Sequence, residues 1–110
     1  MNQLTEIFKS LSDETRLRIM HLLYHQDLCV CELTDLLDLS QPKISKHIAK
    51  LRMSNLVNTK RNSQYIYYSI NHEIINLTKI LELAFSQKNE LLVEDFKRLK
   101  SIESFVCKER

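Results

Sequence analysis

Cys29 and Cys31 stand one residue apart, just where an apolar pattern of helical period begins. Thiolates hold soft, thiophilic ions in preference to hard ones, so the pair suggests a site for a soft metal or metalloid. In a regular helix, side chains two residues apart point about 200° away from each other and could not share an ion. At a helix start, Cys29 lies before the regular turns, and both sulfurs can converge. The N-terminal end of a helix also favours the thiolate form. With Cys107, the chain has three cysteines, too few and too unevenly placed for a disulfide framework. Reduced thiols that bind or react fit better than staples.

A second chemistry lies downstream. From Ser40 to Asn71 there is no Asp or Glu, whereas Lys43, Lys46, Lys50, Arg52, Lys60 and Arg61 all fall there. These six cations sit in a chain of net charge +2, so the remainder carries −4. A basic segment in an otherwise acidic chain predicts a polyanionic partner.

The elements that must position these groups can be read from period and punctuation. The 110 residues contain no Gly and a single proline, Pro42, which favours helices joined by tight polar turns. Leu4, Ile7, Phe8 and Leu11 predict a first short helix. Ser12 is the expected cap of a second, with Asp13 and Glu14 in its first turn, running to about His25. A third spans about Val30 to Leu37. After Asp38-Leu39, Ser40 caps a fourth, with Pro42 in its first turn, where a missing N–H costs nothing. That helix runs to about Met53, with Ile44, Ile48 and Leu51 inward. The period then shortens. Residues 56–60 and 64–70 are rich in β-branched and aromatic types, predicting a hairpin around Arg61-Asn62-Ser63 with Asn62 left-handed. A helix resumes near His72, with Ile74, Leu77, Leu81, Ala84 and Phe85 on one stripe. Leu92, Phe96, Leu99, Ile102 and Val106 predict a last one. The fold class is therefore mainly α with a β-hairpin wing, a winged helix-turn-helix. Residues 1–88 are expected to form one winged-helix unit, and 89–110 a C-terminal helix and tail.

In a helix-turn-helix, the second helix enters the major groove and its N-terminal residues meet base edges. Here its outward set is Ser40, Gln41, Lys43, Ser45, Lys46, His47 and Lys50. Gln and Ser donate and accept at bases, and Lys neutralises phosphates. Lys60, Arg61 and Gln64 at the hairpin tip suit a minor-groove or backbone contact. His21 is expected on a helix surface, and Tyr65, Tyr67 and Tyr68 in strand packing. No Gly-rich phosphate loop or Ser/His/Asp set appears in recognisable context, so no enzyme is expected. No apolar stretch is long enough to span a membrane, and the first residues do not read as a secretory signal, so a cytoplasmic protein without a membrane partner is expected.

The segments 11–19 (Leu-Ser-Asp-Glu-Thr-Arg-Leu-Arg-Ile), 28–33 (Leu-Cys-Val-Cys-Glu-Leu) and 39–48 (Leu-Ser-Gln-Pro-Lys-Ile-Ser-Lys-His-Ile) carry a resemblance to a known family. Over roughly residues 4 to 85 the chain resembles the ArsR/SmtB winged-helix metalloregulators. The wing departs from their pattern, with Asn62 where a Gly is frequent. The resemblance implies a homodimer built on the first and post-wing helices, here Leu4, Phe8, Leu77, Leu81 and Ala84. It also implies repression at a double-stranded DNA operator, relieved by an effector. Segment 28–33 is similar to the metal-binding stretch of arsenical-resistance repressors, which hold As(III) or Sb(III) through cysteines. Many of those carry a third cysteine three residues after the second; here that residue is Thr34. Cys107 is then the remaining thiol for a third ligand. Zinc sensors of the family use paired acid and His ligands on the post-wing helix, where this chain has only His72. Cadmium and lead sensors add N-terminal cysteines that this chain lacks. Two alternatives keep the DNA binding: a thiol-redox switch between Cys29 and Cys31, or a sensor of another soft ion. A metal carrier using the fold as a scaffold would show no salt-sensitive, sequence-specific DNA binding.

Overall fold

A computed structural model of the chain describes residues 3–87 and 89–101. The element order is α1 (Gln3–Leu11), α2 (Glu14–His25), β1 (Leu28–Cys29), α3 (Val30–Leu37), α4 (Gln41–Met53), β2 (Val57–Asn62), β3 (Tyr65–Ile70), α5 (Leu77–Phe85) and α6 (Glu90–Lys100). The architecture is a winged helix-turn-helix.

Short polar side chains start the helices by accepting their first unpaired N–H groups. Asp13, not Ser12, caps α2: its Oδ1 accepts the Arg16 N–H at 3.1 Å. Ser40 Oγ accepts the Lys43 N–H at the head of α4, and Asn89 Oδ1 accepts from Leu91 and Leu92 at the head of α6. The turn between α3 and α4 is tight. Asp38 is left-handed (φ 55°, ψ 47°), and the N–H groups of both Asp38 and Leu39 return to the Thr34 carbonyl.

The sheet has the order β1-β3-β2, antiparallel throughout. Its first strand, two residues long, is absent from the sequence-based reading. The hairpin closes through Ser63-Gln64, and Ser63 (φ 61°) takes the left-handed conformation expected of Asn62. Strand alternation sends Leu28, Val57, Tyr68 and Ile70 into the main core, with Ile19, Met20, Leu22, Leu33, Ile44, Leu51 and Leu56. Cys29 and Tyr67 lie on the opposite side of the sheet, in a small cluster of their own with Cys31 and Tyr65 against it.

The post-wing helix corrects one expectation. It starts at Leu77 rather than near His72, after a turn in which Asn76 is left-handed (φ 69°). Leu77 and Leu81, one turn apart, are fully buried in the chain's own core and are not spare surface for a partner. Leu83, about 200° around the helix from Leu81, is 71 % exposed, and on α1 Leu4 and Phe8 are 50 % and 55 % exposed. These three are the apolar side chains that α1 and α5 leave in solvent. The last described helix, α6, packs on α2 and α3 and adds Leu99 to the core. Arg18 Nε and Nη2 donate to Asp95 Oδ2 and Oδ1, both at 2.9 Å, and Arg98 donates to the Leu36 carbonyl. Residues 102–110, and with them Cys107, lie outside the described residues.

Candidate DNA-reading face and cysteine site

Helical period decides what α4 shows to solvent. Ile44, Ile48 and Leu51 are buried, while Gln41, Lys43, Lys46 and Lys50 are exposed and Ser45 is half-buried. Residues 44, 47, 48 and 51 are an i, i+3, i+4, i+7 set, so His47 belongs to the inward stripe and is 6 % exposed. Its Nδ1 lies 3.3 Å from Arg16 Nη1 and 3.9 Å from Asp13 Oδ1. A guanidinium can only donate, so Nδ1 is the acceptor in that bond. Burial, aided by the neighbouring cations Arg16, Lys46 and Lys50, holds the imidazole below its ordinary pKa against the pull of Asp13. His47 therefore fastens α4 to the capped end of α2 and does not reach outward. The spacing already contained this signal.

At the hairpin, Lys60, Arg61, Asn62, Ser63 and Gln64 are all exposed. A cleft between α1, the start of α2 and the end of α4 is lined by Lys9, Arg16 and Lys50 together with Glu6. Lys9 and Arg16 lie outside the basic segment and had no charge run to mark them.

The cysteines sit where β1 passes into α3. Cys29 is the N-cap, in extended backbone (φ −95°, ψ 171°), and its N–H donates to Glu32 Oε1 at 3.1 Å in a capping box. With Cys29 outside the helical turns, its sulfur comes within 2.9 Å of the Cys31 sulfur, and the two are not bonded to each other. Cys31 is itself disulfide-bonded, against the expectation that every thiol is reduced. Cys29 is buried under Tyr67, while Cys31 and Tyr65 are half-buried at the edge. Burial, and then the nearby Glu32 carboxylate, push the Cys29 thiol above its ordinary pKa, outweighing the backbone N–H groups that act the other way. The helix N-terminus was expected to favour the thiolate; desolvation wins. Glu32 itself is 1 % exposed. Thr34, one turn beyond Cys31, keeps its Oγ1 buried with no hydrogen-bond partner among the described residues. Among the described residues, no cluster of three or more His, Cys, Asp or Glu could hold a metal ion. Two converging sulfurs suit a soft ion as part of its ligand set, and any further thiolate must come from beyond those residues.

A third polar cluster lies between α2, α5 and α6. His21 is buried rather than on the helix surface, stacked edge-on against His25 and Phe85 at 4.9 Å each. Its Nδ1 finds no hydrogen-bond partner among the described residues. Burial, with His25 adding to it, lowers its pKa to about 4. Ring contacts with His25 and the distant Phe85 hold it there, which period alone did not reveal.

Comparison with known proteins adds to this geometry. Residues 13–59 match the model of the bacterial regulatory proteins of the arsR family. The chain is 39 % identical over 100 residues to the arsenic resistance transcriptional regulator ArsR2 of Pseudomonas putida, covering 89 % of this chain and 87 % of that one. It is 46 % identical over 70 residues to the arsenical resistance operon repressor of Escherichia coli, covering 63 % and 60 % of the two chains. Among solved structures, HlyU from Vibrio cholerae superposes with a TM-score of 0.67 at 32 % identity, covering 77 % of this chain and 94 % of that one.

Proposed function

Because the chain belongs to the arsR family of bacterial transcriptional regulators, we propose that it is a dimeric repressor releasing its operator when Cys29 and Cys31 bind As(III) or Sb(III). The observation that carries this reading is the 2.9 Å convergence of the two sulfurs at the head of α3. That helix meets α4 through the tight turn at Asp38-Leu39, so a shift of its first turn is passed to the DNA-reading face with little slack.

In the DNA-bound state, Gln41 and Ser45 face base edges, and Lys43, Lys46 and Lys50 face phosphates, with Ser40 holding the helix start. Lys60, Arg61 and Gln64 carry the wing contact. His47 acts from behind, as a brace between α4 and α2. Leu4, Phe8 and Leu83 supply the dimer face, because they are the apolar groups that α1 and α5 leave uncovered.

A protonated thiol suits arsenous acid. With the Cys31 disulfide first opened by a thiol reductant, each thiol would give its proton to a departing hydroxide as an As–S bond forms, so each bond would release one water and no net proton. Cys107 would supply the third thiol of the site. By linkage, the ion weakens DNA binding by the same factor that DNA weakens ion binding. The closeness of the sulfurs also favours the alternative of a thiol-redox switch. So does the disulfide at Cys31, and the test therefore runs both with and without reductant.

The test is fluorescence anisotropy of a labelled operator bound to the dimer, under a reductant, titrated with arsenite, antimonite, cadmium and, without reductant, peroxide. Release by arsenite or antimonite at lower concentration than by cadmium is expected. Release by peroxide alone would replace ion sensing with the redox reading.

A further inference from the structure

The sheet register places the cysteine site and the wing in one row of side chains. Cys29 pairs with Tyr67 across β1 and β3, and Tyr67 pairs with Lys60 across β3 and β2. Residues directly opposite one another in antiparallel strands project to the same face. Cys29, Tyr67 and Lys60 therefore share one face, and Tyr65 and Asn62 form the next row toward the hairpin tip on that side. The packing agrees. Cys29 and Tyr67 are buried together with Cys31 and Tyr65 against them, and Tyr67, Lys60, Asn62 and Asp27 line one cleft beyond. The opposite face, through Leu28, Tyr68 and Ile70, is committed to the main core.

Two features make this row able to carry displacement. β1 is only Leu28–Cys29, and its sheet partner is β3 alone, through the pairs Leu28↔Tyr68 and Cys29↔Tyr67. Any movement of Cys29 is thus delivered to β3. The sulfurs must also move. With ion–thiolate bonds of about 2.3 Å, two sulfurs on one ion stand roughly 3.3–3.8 Å apart, against 2.9 Å here, where Cys31 is disulfide-bonded and must be reduced before it can bind. The pair opens on ion capture, and on the sheet side Cys29 is walled by the Tyr67 ring. Close-packed interiors pass such a shift on and do not absorb it.

We propose that Tyr67 is a positioning residue that couples the cysteine pair to the wing, so that an ion on Cys29 and Cys31 displaces Lys60 and the hairpin as well as α4. This rests on the reading of the two cysteines as ion ligands. DNA release then has two outputs: α4, through the α3–α4 turn, and the wing, through the Cys29–Tyr67–Lys60 row.

The experiment follows the backbone amides of residues 60–64 by NMR in the DNA-free dimer as arsenite is added, for wild type and Tyr67→Leu. Ion uptake is read in parallel from ultraviolet absorption, and operator affinity is measured with and without arsenite. Tyr67→Leu keeps an apolar group over Cys29 but removes the ring that bridges to Lys60. In wild type the wing amides shift with the same arsenite dependence as uptake. In Tyr67→Leu, uptake and ion-free operator affinity stay within about threefold, the wing shifts vanish, and the factor by which arsenite weakens DNA binding falls at least roughly fivefold. Unmoved wing amides in an arsenite-loaded wild type overturn the proposal, even should Tyr67→Leu not fold. So does an unchanged release factor in Tyr67→Leu that still takes up the ion; that result leaves the cysteine reading intact. A wild type that takes up no arsenite removes the cysteine reading and this coupling together.

Discussion

On α4 and the hairpin, Gln41, Lys43, Lys46, Lys50, Lys60, Arg61 and Gln64 all stand in solvent, whereas Cys29, Glu32 and Tyr67 are buried. The first region works by display. Its charges act additively on a polyanion and are screened by salt, and any one of them can be lost at modest cost. The second region works by fit. The two cysteines pack with Tyr65 and Tyr67 in one small cluster, and the Glu32 carboxylate caps the Cys29 N–H. Substitutions in the exposed region should therefore give graded effects, and substitutions of the two cysteines should give abrupt ones.

The sharpest contrast lies on α5. Leu81→Glu places an unpaired charge in a fully buried position and should cost about 3–5 kcal/mol, enough to unfold the chain. Leu83→Glu should leave the thermal melt nearly unchanged and yield monomers in sedimentation. Equal melting of the two variants would erase the distinction between core and dimer face.

Next in size come the thiols. Cys29→Ser and Cys31→Ser should bind operator within about threefold of wild type and yet lose arsenite-driven release altogether. If either variant still lets go of DNA at wild-type arsenite concentrations, that cysteine is not a ligand.

The buried histidine gives a smaller, continuous effect. An unfolded chain protonates His21 near pH 6.5, whereas burial lowers the folded value to about 4. The unfolded state thus binds more protons between those values. Stability is complete above pH 6.5 and drains as pH falls toward 4, by about 1–3 kcal/mol after allowing for partial solvent screening. Urea denaturation across this range should show the slope, and His21→Phe should flatten it. His25, which burial and then Lys100 hold below its ordinary pKa, faces the same cluster, so an unflattened slope would assign the proton to it.

The smallest effects belong to the exposed face. Gln41→Ala should cost about 1–3 kcal/mol at particular base pairs and little elsewhere. Lys46→Ala should weaken binding to all sequences alike and lower the salt slope by about one unit. A Lys46 effect confined to one operator sequence would make it a base reader.

What could be read from the chain divides along the same line. Display leaves marks in a sequence: the acid-free run from Ser40 to Asn71, Ser40 as cap and the stripe of Ile44, Ile48 and Leu51 delimit α4 and its outer face. Fit leaves fewer. The β1 strand is two residues long and exists only because Tyr67 and Tyr68 arrive to pair with it, a long-range event that no local pattern encodes. The Cys29 pKa follows the same logic, since the helix start is local and visible while the burial that outweighs it is not. Leu77 and Leu81 fell on a periodic stripe, but period shows that a face is buried, not whether the protomer or a partner buries it. His47 is the exception: its inward position was present in the spacing, and its chemical type drew it to the wrong side.

X-ray absorption at the arsenic edge, on the arsenite-loaded dimer without added thiol, counts the sulfurs directly. Three As–S bonds are expected in wild type. Two sulfurs and an oxygen are expected in Cys107→Ser, and a further sulfur should be lost when Cys29 or Cys31 is also changed to Ser. An unchanged sulfur count after replacing Cys29 and Cys31, or arsenic surrounded by oxygen alone in wild type, would contradict ion capture at the head of α3.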